Sequence, residues 1–179
     1  MTTWVALLRG VNVNGITIRS ADLATLFRDL GIADVKTILA SGNVRFEADA
    51  PASSRTELKL RIEQALRERF DYDAWIVLVS IDELRAAIDG YPFDAADAGR
   101  QPYVIFCSDE VVRAELAEAT ASVDPGEDPV QTGQGVLYWS PEKGRSVDTP
   151  FAKILAKARY KATTTTRNLR TLEKIANAS

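Results

Sequence analysis

The chain has 179 residues, 46% hydrophobic and 26% charged, which supplies apolar material for a real core and excludes disorder as the default state. A formal net charge of -3 argues against whole-surface attraction to nucleic acid. Cys107 is the only cysteine and histidine is absent, so an internal disulfide and a Cys/His zinc cluster are both excluded.

The opening TTWVALLRG reads as a compact apolar strand. It has neither the basic start nor the long apolar region of a signal peptide, and no segment approaches the ~20 apolar residues of a membrane span. A soluble, cytoplasmic protein is expected. A polar loop, GVNVNGIT, follows. Leu23, Leu26, Phe27 and Leu30 then recur at the spacing of one helix face, with Ser20 as the predicted N-cap and Gly31 as the stop. VKTILA and NVRFEA are two strands joined through Ser41 and Gly42, an antiparallel hairpin in which Gly42 or Asn43 takes positive φ. Leu58, Ile62, Leu66 and Phe70 mark a second helix, and AWIVLVS a fourth strand. The order β-α-β-β-α-β predicts a ferredoxin-like unit. Ser80 and Glu83 form a capping box for a third helix.

The second half begins near Arg100. PYVIFC and GVLYWS read as strands, DEVVRAELAEAT as a helix, and SVDPGEDP as a surface turn. Thr149 and Pro150 start another helix at N-cap and N1, and Leu169, Leu172 and Ile175 line one side of the last. The expected fold is therefore α+β: a ferredoxin-like subdomain over 1–92 and a smaller α/β subdomain over 100–179, packed as one body. No residue-level repeat links the halves.

Three polar stretches are candidates for chemistry. In RGVNVNG, Arg9 closes a strand and Asn12 follows Gly10; backbone N–H groups and an Arg there suit an anion, and Asn12 suits a base, amide or carboxylate. The alternative is that these groups bond only their own loop. In ASGNV, Ser41 and Asn43 either make a tight turn or reach the same ligand. In TTTTRN, the planar fork of Arg167 suits a carboxylate or phosphate, with Thr165 and Thr166 donating beside it. Otherwise Asn168 or Thr166 caps the final helix, or Arg167 bridges to an internal carboxylate. From Lys143 to Lys174 nine Lys or Arg stand against two acids, a basic region that suits an anionic partner or an ordinary solvated helix surface. Tyr138 and Trp139 offer either core packing or one stacking face for single-stranded nucleic acid. Cys107 ends an apolar strand and reads as a small buried hydrophobe. Neither a phosphate-binding lysine loop nor a dinucleotide fingerprint is present, and no cofactor or metal is expected.

Taken together, these stretches resemble the bacterial family called domain of unknown function 1697. The likeness runs from WVALLRGVNVNG through LGIADVKTILASGNVRF to GVLYW and TTTTRNLRTLEKI. It implies a compact α/β protein with a ferredoxin-like N-terminal part and no established activity. The family pattern R-G-I-N-V-G-G falls on Arg9 to Gly15, with Asn14 where many relatives have glycine. The pattern Q-S-G-N falls on Ala40 to Asn43, with Ala40 in place of glutamine. The pattern T-T-R-N-W falls on Thr165 to Leu169, with leucine in place of tryptophan. Three functions stay open. One is binding of a small anionic or nucleotide-like ligand, or of nucleic acid, in a cleft of three polar loops holding Arg9, Asn12, Ser41, Asn43, Thr166, Arg167 and Asn168. The second is an enzyme acting on a phosphoryl or acyl substrate. The third is a non-enzymatic structural or regulatory protein.

Overall fold

In the computed structural model, which describes residues 1–9, 16–39, 42–160 and 162–179, the opening apolar run is strand β1, Thr2–Arg9. Asn12 and Ser41 lie outside the described residues. The chain continues through α1 (Ser20–Asp29), β2 (Ala33–Thr37), β3 (Asn43–Ala48), α2 (Arg55–Phe70) and β4 (Trp75–Ser80). These strands form an antiparallel sheet in the order β2-β3-β1-β4.

Alternation along the strands decides what each face does. Trp4, Ala6 and Leu8 of β1, Val44 and Phe46 of β3, and Ile76 and Leu78 of β4 pack with Leu26 and Phe27 of α1 and Ile62 and Leu66 of α2. The opposite face carries Val5, Leu7 and Arg9, then Asn43, Arg45 and Glu47, then Trp75, Val77 and Val79. Val5, Leu7, Val77 and Val79 are buried there too, which is why β1 reads as an unbroken apolar run rather than an alternating one. The outer strand β2 is blunted by a register shift between Ala33 and Lys36 and by the Lys36–Asp34 ion pair.

Helix α1 begins at Ser20, with Arg19 rather than Ser20 at the N-cap and no side-chain cap bond. Arg19 instead pairs with Asp22 at 2.8 Å, which draws Asp22 into the first turn where a carboxylate is favourable. Gly31, at φ +78°, ends the helix as expected.

Helix α3 (Ile81–Asp89) starts with the foreseen capping box: Glu83 N–H donates to Ser80 Oγ at 3.2 Å and Ser80 N–H to Glu83 Oε2 at 2.8 Å. The chain then runs through β5 (Tyr103–Cys107), α4 (Glu110–Ala119), β6 (Val130–Thr132), β7 (Val136–Trp139), α5 (Pro150–Leu155), β8 (Thr164–Asn168) and α6 (Leu169–Asn177). These strands form a second antiparallel sheet in the order β6-β7-β5-β8. Ile105, Leu116, Leu137, Trp139, Phe151 and Tyr160 lie in its core. Thr149 caps α5 by accepting from Ala152 N–H at 3.1 Å, with Pro150 at N1.

The fold is thus mixed α+β, with two four-stranded antiparallel sheets and six α-helices among the described residues. It divides into two compact units, Met1–Leu84 with Lys174–Ser179, and Arg85–Glu173. Both follow β-α-β-β-α-β and then a helix, with the same strand order. The repeat absent from the residues is present in the topology. Two strands escape sequence reading: β6, and β8, whose threonines look like a helix approach. Threonine is β-branched, and pairing with β5 realises its strand preference. Among the described residues no helix is long and apolar enough to cross a membrane.

Within the first unit, Arg45 of β3 holds the end of α6. Its Nη1 donates to Ile175 O at 3.0 Å and Ala176 O at 2.9 Å, two carbonyls in the last turn of the helix; Ile175 O also accepts from Ala178 N–H at 3.3 Å. A cation at a helix C-terminus is also favoured by the macrodipole. Arg45→Ala is expected to cost about 1–2 kcal/mol, read as a lower melting temperature by circular dichroism. An unchanged melt would mean that water replaces the guanidinium at no cost.

Candidate functional site

Arg9 is the last residue of β1 and Asn43 the first of β3. The two strands are antiparallel neighbours, with Leu7 opposite Asn43 and Leu8 N–H donating to Gly42 O at 2.9 Å. Both candidate residues therefore lie toward the same end of the first sheet, on the face away from α1 and α2. Arg9 is half-buried, and that burial lowers the guanidinium pKa by disfavouring its charged form. A cation in such a place gains more from an anion than one in open water does.

Asn43 is fully buried. Its Nδ2 donates to Ile38 O at 2.9 Å, while Ile38 N–H donates to Asn43 O at 2.9 Å. The residue closes its own hairpin from both sides, the tight-turn role weighed for it. Gly42 takes φ +75°, as the turn requires.

One residue at this end was passed over in the sequence as part of an apolar strand. Trp75 begins β4 and stands directly opposite Arg9. Opposed residues of an antiparallel pair project from the same face. Trp75 is half-buried, and its indole N–H has no protein acceptor among the described residues. Alternation against Ile76 foretells the face of Trp75; only the β1–β4 register foretells its neighbour.

Thr166, Arg167 and Asn168 belong to the second unit, where they lie on β8 and not in a loop. Thr166 stands opposite Ile105 and Arg167 opposite Val104. Arg167 is 8% exposed, and its Nη1 donates to Thr165 Oγ1 at 2.6 Å and Thr166 O at 3.0 Å. Asn168 Oδ1 accepts from Arg170 N–H at 3.0 Å at the start of α6, and its Nδ2 donates to Gln101 Oε1 at 3.1 Å. Asn168 is thus the cap of the last helix.

The other candidates resolve into structure. Tyr138 and Trp139 are buried, with Tyr138 Oη donating to Ala87 O at 2.7 Å and Trp139 Nε1 to Asp128 Oδ1 at 2.6 Å. Neither offers a stacking face. Burial pushes the Cys107 thiol up to about 12, so it stays protonated at neutral pH and supplies no thiolate. Within the basic segment, Arg145 pairs with Asp148 and Glu127, and Arg159 with Glu115. No metal-holding group of acids and cysteine occurs among the described residues.

The model of a family described as protein of unknown function (DUF1697) matches residues 1–138. The chain belongs to the DUF1697 family. The matched part of this DUF1697 chain contains Arg9, Asn12, Ser41, Asn43 and Trp75, whereas β8 lies beyond it. A solved structure, that of a conserved bacterial protein from Streptococcus pneumoniae, is 21% identical, with a TM-score of 0.80 over 98% of this chain and 97% of that one. At that identity the likeness speaks for the fold. A comparison with curated proteins finds no match.

Proposed function

We propose that this DUF1697 protein is a cytoplasmic binding protein for a small anionic, nucleotide-like ligand, held at the Arg9 end of a ferredoxin-like first unit. The ferredoxin-like assignment rests on the β-α-β-β-α-β order and on β1 lying between β3 and β4. The observation that carries the ligand reading is the half-buried guanidinium of Arg9 at the end of a central strand, its charge disfavoured by desolvation. Asn12 and Ser41 are assigned polar contacts to the same ligand, since each lies within three residues of Arg9 or Asn43 in the sequence. A binding role is preferred to an enzymatic one because histidine is absent and the lone thiol is held protonated. A small ligand is preferred to nucleic acid because the net charge is negative and Tyr138 and Trp139 are buried.

Titration calorimetry with inorganic phosphate tests the reading. The wild type should bind, and Arg9→Ala should weaken binding by about tenfold or more, the equivalent of ~1.4 kcal/mol. Equal affinity in both proteins, or none in the wild type, would remove the anion site.

A second reading concerns β8. Its two hydrogen bonds from Arg167 to Thr165 and Thr166 favour a staple within the second sheet over a ligand group.

A further inference from the structure

The Arg9 end of the sheet holds a cation and, across one strand pairing, an aromatic ring. Arg9 and Trp75 are direct partners in the β1–β4 ladder. Such partners keep their Cβ atoms about 4.5–5.5 Å apart on one face. The chain has three tryptophans; Trp4 and Trp139 are 0% and 2% exposed, each with its indole N–H bonded, to Ala50 O and Asp128 Oδ1. Trp75 alone is partly exposed, and its N–H has no protein acceptor among the described residues. A partly exposed indole with an N–H open to solvent presents an apolar body and a polar tip at the surface, the form aromatic side chains take at binding sites.

We propose that Trp75 is the stacking wall of the Arg9 site, so that its ligand is a nucleoside monophosphate rather than a bare anion. The inference rests on the anion reading given above. The guanidinium takes the phosphate, for which its planar fork is suited. The indole face takes the base, a contact that tolerates any base because every base has a π-face. The side-by-side placement matches a ligand whose charged and aromatic ends are joined by one sugar. A phosphate alone leaves the ring face uncovered. Strand β4 fixes the ring from a rigid element, which limits the freedom lost on binding.

The test compares adenosine 5′-monophosphate with inorganic phosphate on the whole chain, by titration calorimetry and tryptophan fluorescence. In the wild type the nucleotide should bind about tenfold more tightly than phosphate, and its base should quench the emission. Trp75→Leu should bring the ratio of the two affinities close to one. Trp75→Phe should keep most of the calorimetric preference but lose the quench, because the remaining tryptophans are buried. A ring that only packs against its neighbours would move the melting temperature and not this ratio. Equal affinities in the wild type, with phosphate still bound, would overturn the role of Trp75 and leave the anion reading standing. A quench that survives in Trp75→Phe would overturn it as well. Failure of the wild type to bind either compound would overturn both.

Discussion

Asp128→Ala is expected to lower the unfolding free energy by about 3–5 kcal/mol, since each buried donor left without a partner costs about 1–3 kcal/mol and a cavity adds to that. The carboxylate is 2% exposed and serves two donors at once. Its Oδ1 accepts from Trp139 Nε1 at 2.6 Å, and its Oδ2 from Phe151 N–H at 2.7 Å. Phe151 sits in the first turn of α5, where backbone N–H groups have no intrahelical acceptor. Thr149 already covers Ala152 N–H, so Asp128 completes the cap. A helix of six residues does not hold by its own propensity, and it depends on such ends. The same carboxylate fixes the Trp139 ring, which packs against Tyr103 and Phe151 with centroids 5.5 and 5.3 Å away. Asp128→Asn should lose about half as much, because the amide keeps the shape and one acceptor but turns an NH2 toward the other donor. Urea denaturation of the three proteins measures this. A loss under about 1 kcal/mol for alanine would mean that water enters and satisfies both donors.

What the sequence reveals depends on how local the determining physics is. The stripes of α1, α2 and α6 are legible because 3.6-residue periodicity is written in neighbouring residues, and Leu169, Leu172 and Ile175 are indeed buried. The Ser80–Glu83 box and the Thr149–Pro150 start are legible for the same reason: donor and acceptor lie within one turn. Strand β6 has three residues, too few to display a period. Strand β8 has no apolar alternation; what makes it a strand is the ladder with β5, far away in sequence. That Arg9 and Asn43 lie toward the same end of the sheet follows once β1 and β3 are known to be antiparallel neighbours. The Arg9–Trp75 pairing needs the register between two distant strands, and so stays hidden although both residues are in plain view. The shared topology of the two units is hidden similarly, because strand order constrains burial patterns and not residue identities.

Arg167→Ala is expected to cost about 2–3 kcal/mol, from the loss of hydrogen bonds made by a charged group and of the packed stem. A guanidinium that is 8% exposed has given up most of its hydration, and it persists only where its N–H groups are bonded. Two bonds run to Thr165 Oγ1 and Thr166 O, immediately before it on the same strand. Strand β8 is at the edge of its sheet and among the described residues pairs only with β5, without the second ladder that holds an inner strand. Substitutions separate charge from volume. Arg167→Met keeps the stem without the desolvated charge; if it melts near the wild type while alanine melts low, packing dominates. Arg167→Lys keeps the charge but not the fork; if it melts as low as alanine, the paired geometry dominates. The same proteins distinguish staple from ligand group. A lower melting temperature with phosphate affinity retained fits a staple. An unchanged melting temperature with phosphate affinity lost would reject the staple and make Arg167 part of the binding site, because a group that only holds β8 in place cannot be removed without loosening it.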